Sequence, residues 1–320
     1  METGTRSIVK INGEAVVAAP VAGAKWETVL ASFVASQDVA ESSRLLYTRT
    51  LKLFFEWVAE AGKDVASLTR TDILEYKDAL FAKKLTSLSV ASYLTSLRKF
   101  YEWAESEKLY PNIAKGVKTP RRVQAFKKQH LTDDKSKELL DHFHELSLRD
   151  YAIVNLILRT GLRTIEVVRA DIGDVDYKGG RRILRVWGKG HTEKDDFVIL
   201  TDKAYEPLKA YLDTRKDAKA EEPLFASDSH RNSGERLTTR TISGLCKEGL
   251  KAIGLDSKAF TAHSLRHTTA VAILKAGGDI SQAQAVLRHT SPATTQIYTE
   301  SIKEELRLAS APESLIDRAF

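Results

Sequence analysis

The sequence has very little cysteine and no apolar stretch of membrane length. Its only cysteine, Cys246, excludes an intramolecular disulfide and a zinc site built from several cysteines. A single thiol also fits a reducing compartment. No apolar run reaches the roughly 18 residues that a membrane-spanning helix needs, and residues 1–20 lack the basic start and compact apolar run of a secretory signal. We therefore expect a cytoplasmic protein.

Two common phosphate-handling patterns are absent as well. The chain contains no glycine-rich P-loop and no cluster of carboxylates suited to two Mg²⁺ ions. The net charge of +6 is a moderate basic excess for a chain of 320 residues. This excess permits nucleic acid binding without establishing it, since many proteins of other classes are as basic.

Periodic apolar residues predict four helices in the N-terminal third. Those between Trp26 and Phe33 follow the i, i+3, i+4, i+7 spacing of one helix face. A second helix ends at Gly62, a third is capped near Thr69, and a fourth spans residues 89–107. The aromatic residues of these helices have the spacing of a core rather than of a base-stacking surface.

Basic residues are the better candidates for DNA contacts in this region. Each of them could equally lie on a solvated helix face, and the basic segment after the fourth helix could equally be a solvated hinge. The candidates are Arg44, Lys83, Lys84, Arg98 and Lys99 among the helices, and Arg121, Arg122, Lys127 and Lys128 in the basic segment.

The remainder of the chain mixes helices with a short sheet. Helices are predicted at 133–143 and 149–159, the second ending before Gly161, and alternating residues predict strands at 182–187 and 197–200. The expected fold is mainly α with a small antiparallel β-sheet in the second domain, an α+β architecture. We divide the chain into a flexible N-terminal arm at 1–24, a helical domain at 25–118, a basic linker at 119–131, and a second domain at 132–320 with a tail at 311–320.

Four segments of the second domain carry groups suited to binding one phosphate. They are Thr160-Gly-Leu-Arg163-Thr-Ile-Glu166, Trp187-Gly-Lys189-Gly, His263-Ser-Leu-Arg266-His, and Leu287-Arg288-His289 followed by Tyr298. Arg163 and Glu166 share a helix face, either as a surface ion pair or as an arginine that a carboxylate aims at a phosphate. Lys189 falls in the turn between the two predicted strands.

In this order and spacing, the segments resemble the tyrosine recombinase family (phage integrase, Xer-like), and the likeness covers nearly the whole chain. One departure is that the usual Leu-Gly-His is Leu-Arg-His here, at Arg288. The resemblance implies a two-domain clamp on double-stranded DNA, associated with the nucleoid. It also implies a tetramer on DNA that performs site-specific recombination, for integration, excision or dimer resolution.

The chemistry expected of these groups is in-line attack on a phosphodiester. Tyr298 would be the nucleophile and become joined to the 3′-phosphate. Lys189 would protonate the leaving 5′-oxygen, with Lys194 as the next candidate, and His263 would assist Tyr298 as a base. The donors that stabilise the charge of the transition state would be Arg163, Arg266 and His289. No ATP, metal or other cofactor is expected.

Two other functions remain open from the sequence: strand cleavage and resealing as in a type IB topoisomerase, and DNA binding without catalysis. Two local alternatives remain open as well. Arg288 either projects from the surface or makes an extra phosphate contact. The apolar stripe that follows Pro312 docks either on its own domain or on a neighbouring subunit.

Overall fold

The computed structural model describes residues 26–120, 129–187 and 193–288, together with residues 307 and 317 and the backbone of 8–11 and 14–17. The chain divides into two compact units, residues 1–125 and 126–320. Lys189, His289 and Tyr298 lie outside the described residues, as do the four basic candidates between 121 and 128 and the tail at 311–320 apart from residue 317.

The first unit begins with a β-hairpin where the sequence indicated only a loosely held arm. Strand β1 (Ile8–Ile11) pairs antiparallel with β2 (Glu14–Val17), so that Ile8 faces Val17. Four helices follow, and their bounds are α1 (Trp26–Ser36), α2 (Glu41–Glu60), α3 (Arg70–Ala82) and α4 (Ser87–Ser106).

Aromatic side chains form the core of this helical unit. Phe33 and Phe54 are completely buried, and the ring of Phe33 meets that of Phe100 edge to face with centroids 5.5 Å apart. The start of α3 is fixed by Asp72, whose carboxylate accepts the N–H of Thr69 at 2.7 Å. The aromatics therefore serve the core, and the local cap signal near Thr69 sets the helix start.

The second unit combines seven helices with a three-stranded sheet within its described residues. The elements are α5 (Asp133–Leu146), α6 (Leu148–Thr160), α7 (Thr164–Arg169), β3 (Val175–Lys178), β4 (Arg181–Val186), β5 (Asp196–Ile199), α8 (Asp202–Leu212), α9 (Thr239–Ala252), α10 (Ala262–Lys275) and α11 (Ile280–Leu287). The expected mainly α fold with a small antiparallel sheet is confirmed. No described helix is long and apolar enough to span a membrane.

The sheet has the order β3-β4-β5, with antiparallel neighbours throughout. Strand β3 was not predicted, because it is short and lies largely at the surface. The signal that could have revealed it is Gly179-Gly180. Both glycines have positive φ, as the tight turns of two-residue hairpins require.

Helix α6 is the central element of the second unit. Its residues from Ala152 to Ile157 are all buried, and it packs against α5, α8 and α10. It ends at Gly161, which adopts a left-handed conformation with φ of 64°. This turn places Arg163 at the start of α7.

The last residues of the predicted linker are packed onto the second unit. The N–H of Gln129 donates to the carbonyl of Ala259 at 3.3 Å. Leu131 is buried, and its N–H donates to Oγ1 of Thr268 at 2.9 Å. The apolar side chain of Leu131 explains this attachment, because removing its apolar surface from water stabilises the fold.

Candidate active site

Arg266 lies inside the second unit, on α10. Only 1% of the residue is exposed. Its Nη1 donates to the carbonyl of Gly161 and its Nη2 to the carbonyl of Leu287. These two carbonyls belong to the C-terminal ends of α6 and α11, where the helix dipole favours a cation. Arg266 thus joins the segments that carry Arg163 and Arg288.

Arg163 is the N-cap residue of α7 and is held by Glu166. Its Nη1 lies 2.7 Å from Oε1 of Glu166, and its backbone N–H donates to Oε2 of the same carboxylate, also at 2.7 Å. The Glu166 side chain is 7% exposed, whereas that of Arg163 is 33% exposed. A simple surface ion pair does not have a buried carboxylate, so the geometry fits an arginine held by Glu166 from within.

The structure contradicts one of the two sequence-based expectations for Arg288, the projection from the surface, while the phosphate contact stays a prediction. Its side chain is only 7% exposed, and its Nη2 lies 2.6 Å from Oε2 of Glu166. Its Nε lies 3.5 Å from a carboxylate oxygen of Asp196 on β5. The guanidinium therefore points inward, toward these two carboxylates, and does not project from the surface. The reason is that the buried carboxylate of Glu166 attracts a second cation, which no local sequence signal reveals.

The His-Ser-Leu-Arg-His motif occupies the first half of α10. His263 is exposed, whereas Arg266 and His267 are buried. The helical spacing suggested a common face, but Arg266 and His267 lie in the core while His263 lies at the surface. His267 packs edge to face against His130, with ring centroids 5.5 Å apart.

The ammonium group of Lys194 is held by a cluster of carboxylates. Its Nζ lies 2.5 Å from both Asp171 and Asp174, and Arg236 also pairs with Asp171. Burial lowers the pKa of Lys194, but the hydrogen bonds and charges of the two aspartates outweigh this effect and raise it above its ordinary value. The alternative assignment of Lys194 as general acid is therefore disfavoured.

The basic candidates of the first unit differ in their surroundings. Arg44 donates to the carbonyl of Gln37 at 2.8 Å, and Lys99 pairs with Glu102 at 2.9 Å. Arg98 is partly buried, while Lys83 and Lys84 are exposed where α3 ends. Of the described candidates, only Arg98 is therefore not fully exposed, and burial does not separate the other four.

Lys189 belongs to the connection between the antiparallel strands β4 and β5, and His289 follows Arg288 directly. Sequence reasoning missed two features around the described arginines: the carboxylate of Asp196 near Arg288, and the carbonyls of Gly161 and Leu287 that receive Arg266. No signal in the sequence points to either. Within the described ranges, no group of three or more His, Cys, Asp or Glu residues could hold a metal ion.

Comparison with known families identifies two matching segments. The model of the phage integrase family matches residues 129–305. The model of the phage integrase N-terminal SAM-like domain matches residues 32–108.

Curated relatives are similar over most of their length. The tyrosine recombinase XerC of Actinobacillus pleuropneumoniae is 32% identical over 282 residues, which cover 86% of this chain and 87% of that protein. XerC of Leptospira interrogans is 31% identical over 275 residues, covering 82% of this chain and 83% of that protein.

Solved structures share the fold at lower identity. The XerH site-specific recombinase in a post-cleavage complex with its palindromic difH substrate superposes with a TM-score of 0.70 at 20% identity, covering 90% of this chain and 84% of that chain. A lambda integrase dimer bound to a COC′ core site gives a TM-score of 0.63 at 19% identity, covering 84% and 96%.

Proposed function

The chain belongs to the phage integrase family and is a tyrosine-type site-specific recombinase, and we propose that Tyr298 is the nucleophile with which it cleaves DNA. The observation that carries this proposal is the position of Arg266. Its guanidinium bonds to carbonyls two residues before Arg163 and two residues before His289. One side chain therefore holds together three segments that the sequence assigns to a single phosphate, and this supports the proposal.

The proposed reaction conserves the energy of the phosphodiester bond. The Tyr298 oxygen bonds to the phosphorus, the bond to the 5′-oxygen breaks, and a 3′-phosphotyrosine forms. His263 accepts the tyrosine proton, and Lys189 donates one to the leaving 5′-oxygen. The 5′-hydroxyl of a second strand then attacks the phosphotyrosine, releases Tyr298 and completes the exchange.

Cationic donors lower the barrier of each step. The phosphorus passes through a pentacoordinate state with additional negative charge on its non-bridging oxygens. Donors that are fixed before the reaction stabilise this charge without reorganising. Arg163, Arg266 and His289 take this role, and Glu166 fixes Arg163. The planar guanidinium suits two phosphate oxygens at once.

Recombination requires two DNA sites, and we propose that the protein acts as a tetramer on paired sites and resides with the nucleoid. Support comes from the relatives, since XerH is described on a palindromic substrate and lambda integrase as a dimer on a core site. Resealing of the same strand, as in a type IB topoisomerase, is not favoured. The relatives that match most of the chain are recombinases, and the SAM-like segment matches the same family.

Replacing Tyr298 with phenylalanine tests the proposed nucleophile. The substitution Tyr298→Phe removes only the hydroxyl, so DNA affinity should be retained while the covalent adduct disappears. The measurement uses a nicked suicide duplex carrying the site that the protein selects from random DNA. Tyr177→Phe, at an exposed tyrosine of β3, is the control that keeps the adduct. An adduct formed by Tyr298→Phe would refute the assignment.

A sulfur-substituted substrate tests Lys189 as the general acid. Lys189→Ala should cleave ordinary DNA slowly, because the 5′-alkoxide leaves poorly without a proton. A substrate with sulfur at the leaving 5′ position should restore the cleavage rate, since a thiolate needs no proton. If sulfur gives no rescue, another group protonates the 5′-oxygen. Lys194 is a poor substitute because Asp171 and Asp174 hold it.

A further inference from the structure

One buried carboxylate holds two arginines in the second unit. Oε1 of Glu166 pairs with Arg163 at 2.7 Å, and Oε2 pairs with Arg288 at 2.6 Å. The side chains of Glu166 and Arg288 are each 7% exposed, whereas that of Arg163 is 33% exposed. The three side chains thus run from the interior, at Arg288, to the surface, at Arg163.

The backbone of Arg288 links the same cluster to Arg266. Arg288 ends α11 in a left-handed conformation, with φ of 53° and ψ of 50°, which is unfavourable for any residue with a Cβ. The preceding carbonyl, that of Leu287, accepts the hydrogen bond from Arg266. A single turn therefore contacts both arginines that we assign to the phosphate: Arg163 through the Glu166 carboxylate and Arg266 through a carbonyl.

The charges of Arg163, Glu166 and Arg288 determine how strongly this cluster attracts a phosphate. Arg163 and Glu166 alone would be a neutral pair, and a neutral pair attracts a phosphate weakly. Arg288 adds a positive charge on the far side of Glu166 and offsets the carboxylate, leaving the positive charge of Arg163 for the phosphate. Asp196 cancels part of this effect, but it is farther away, at 3.5 Å, and its side chain is 37% exposed to screening solvent.

We propose that Arg288 is a positioning residue for strand cleavage, which acts by neutralising and orienting Glu166 behind Arg163. The inference rests on the proposed function, since it assigns a support to the same phosphate site. It also explains why an arginine is tolerated in a left-handed position where glycine would be unstrained: the side chain has a buried partner. Arg288 itself does not contact DNA.

The test compares Arg288→Met with Arg288→Lys and Arg288→Gly. We expect Arg288→Met to lower the single-turnover cleavage rate at saturating DNA by about 10- to 100-fold. Losses of this size follow in metalloenzymes when a residue that only orients a metal ligand is replaced. DNA affinity and its salt dependence should stay within twofold. Arg288→Lys should cleave at an intermediate rate, because it keeps the charge but not the planar fork. Arg288→Gly removes the charge without backbone strain and should resemble Arg288→Met.

A double-mutant cycle separates this role from a general loss of stability. If Arg288 acts through Glu166, then Arg288→Met should slow cleavage little further in a Glu166→Gln background. Arg215→Met is the matched control, because Arg215 is also a mostly buried arginine, paired with Glu222 at 3.1 Å. It should leave cleavage unchanged even if it lowers the melting temperature.

Each remaining outcome overturns the inference in a distinguishable way. Cleavage at the wild-type rate by both Arg288→Met and Arg288→Gly would remove the positioning role and leave the proposed function standing. A weaker salt dependence of DNA binding in these variants would make Arg288 a phosphate contact instead. Additive effects with Glu166→Gln would show that Arg288 acts elsewhere. A wild-type protein that forms no adduct at all would overturn both proposals.

Discussion

Arg163 and Arg266 carry the same charge but are held in different ways. Arg163 is fixed by a carboxylate, and a third of its side chain is exposed. Arg266 is 1% exposed and bonds to two backbone carbonyls. In the proposed mechanism, Arg163 therefore serves mainly catalysis, whereas Arg266 also holds the ends of α6 and α11 together.

Alanine substitutions should separate these two roles. Arg163→Ala and Arg266→Ala should each raise the cleavage barrier by about 2 to 4 kcal/mol, the contribution of one fixed donor. Arg266→Ala should also lower stability, because two buried carbonyls would lose their partner at about 1 to 3 kcal/mol per unsatisfied group. Cleavage rates at saturating DNA and thermal unfolding measure the two effects. Losses in DNA binding as large as those in cleavage would indicate that the arginines only position the phosphate.

At the scale of elements, the junction between α6 and α7 controls where Arg163 lies. Gly161 has a φ of 64°, and a Cβ there would sit 2.5 Å from Cδ2 of Leu287 and 3.4 Å from Cγ2 of Thr269. The close approach of Leu287 on α11 and the left-handed backbone both favour glycine at this position. The carbonyl of the same residue receives Arg266, so a shift at this junction would move both arginines.

Gly161→Ala should therefore reduce both stability and cleavage. We expect the free energy of unfolding to fall by about 1 to 3 kcal/mol from backbone strain, with a further loss from the contact with Leu287. Gly179→Ala is the control, because Gly179 also has positive φ, at 57°, but a Cβ there meets nothing within 4 Å. Denaturant unfolding of both variants isolates the packing contribution. Equal losses of unfolding free energy in the two variants would show that the contact between a Cβ at position 161 and Leu287 does not lower stability.

At the scale of the whole molecule, two units joined by a basic segment match the two family models. DNA binding would gain affinity from each phosphate that the lysines and arginines of this segment neutralise. The tail beyond Pro312 is a candidate for contact with a neighbouring subunit. The spacing of Leu315, Ile316, Ala319 and Phe320 predicts one narrow apolar stripe on a short helix, and a helix that short would need a docking partner to be stable.

Deleting residues 312–320 tests whether this tail links neighbouring subunits. We expect the affinity of a monomer for a single site to stay nearly intact, while cooperative filling of paired sites and recombination fall. The physical reason is that head-to-tail exchange of a segment closes a ring and couples adjacent active sites. Gel-shift titrations with one and two sites give the measurement. Unchanged cooperativity would mean that the tail docks on its own domain.

Local signals were enough to predict much of the fold. Apolar periodicity predicted helices α1 to α6, Gly161 marked the end of α6, and alternation predicted β4 and β5. Strand β3 was missed because its short exposed sequence carries little apolar alternation. The Arg163–Glu166 pair was predictable from its spacing of three residues, since both ends lie on one helical turn.

By itself, the sequence determined the family and predicted the types of catalytic group and their order along the chain, because these depend on residue identity and local spacing. The tertiary structure alone decided that Arg266 is buried between two carbonyls and that Arg288 turns inward to Glu166, 122 positions away in the chain. Such contacts depend on how helices pack, and packing is set by the whole core rather than by any local pattern. The local sequence does not distinguish an exposed arginine from a buried one, because the carboxylate that pairs with the buried arginine lies far away in the chain.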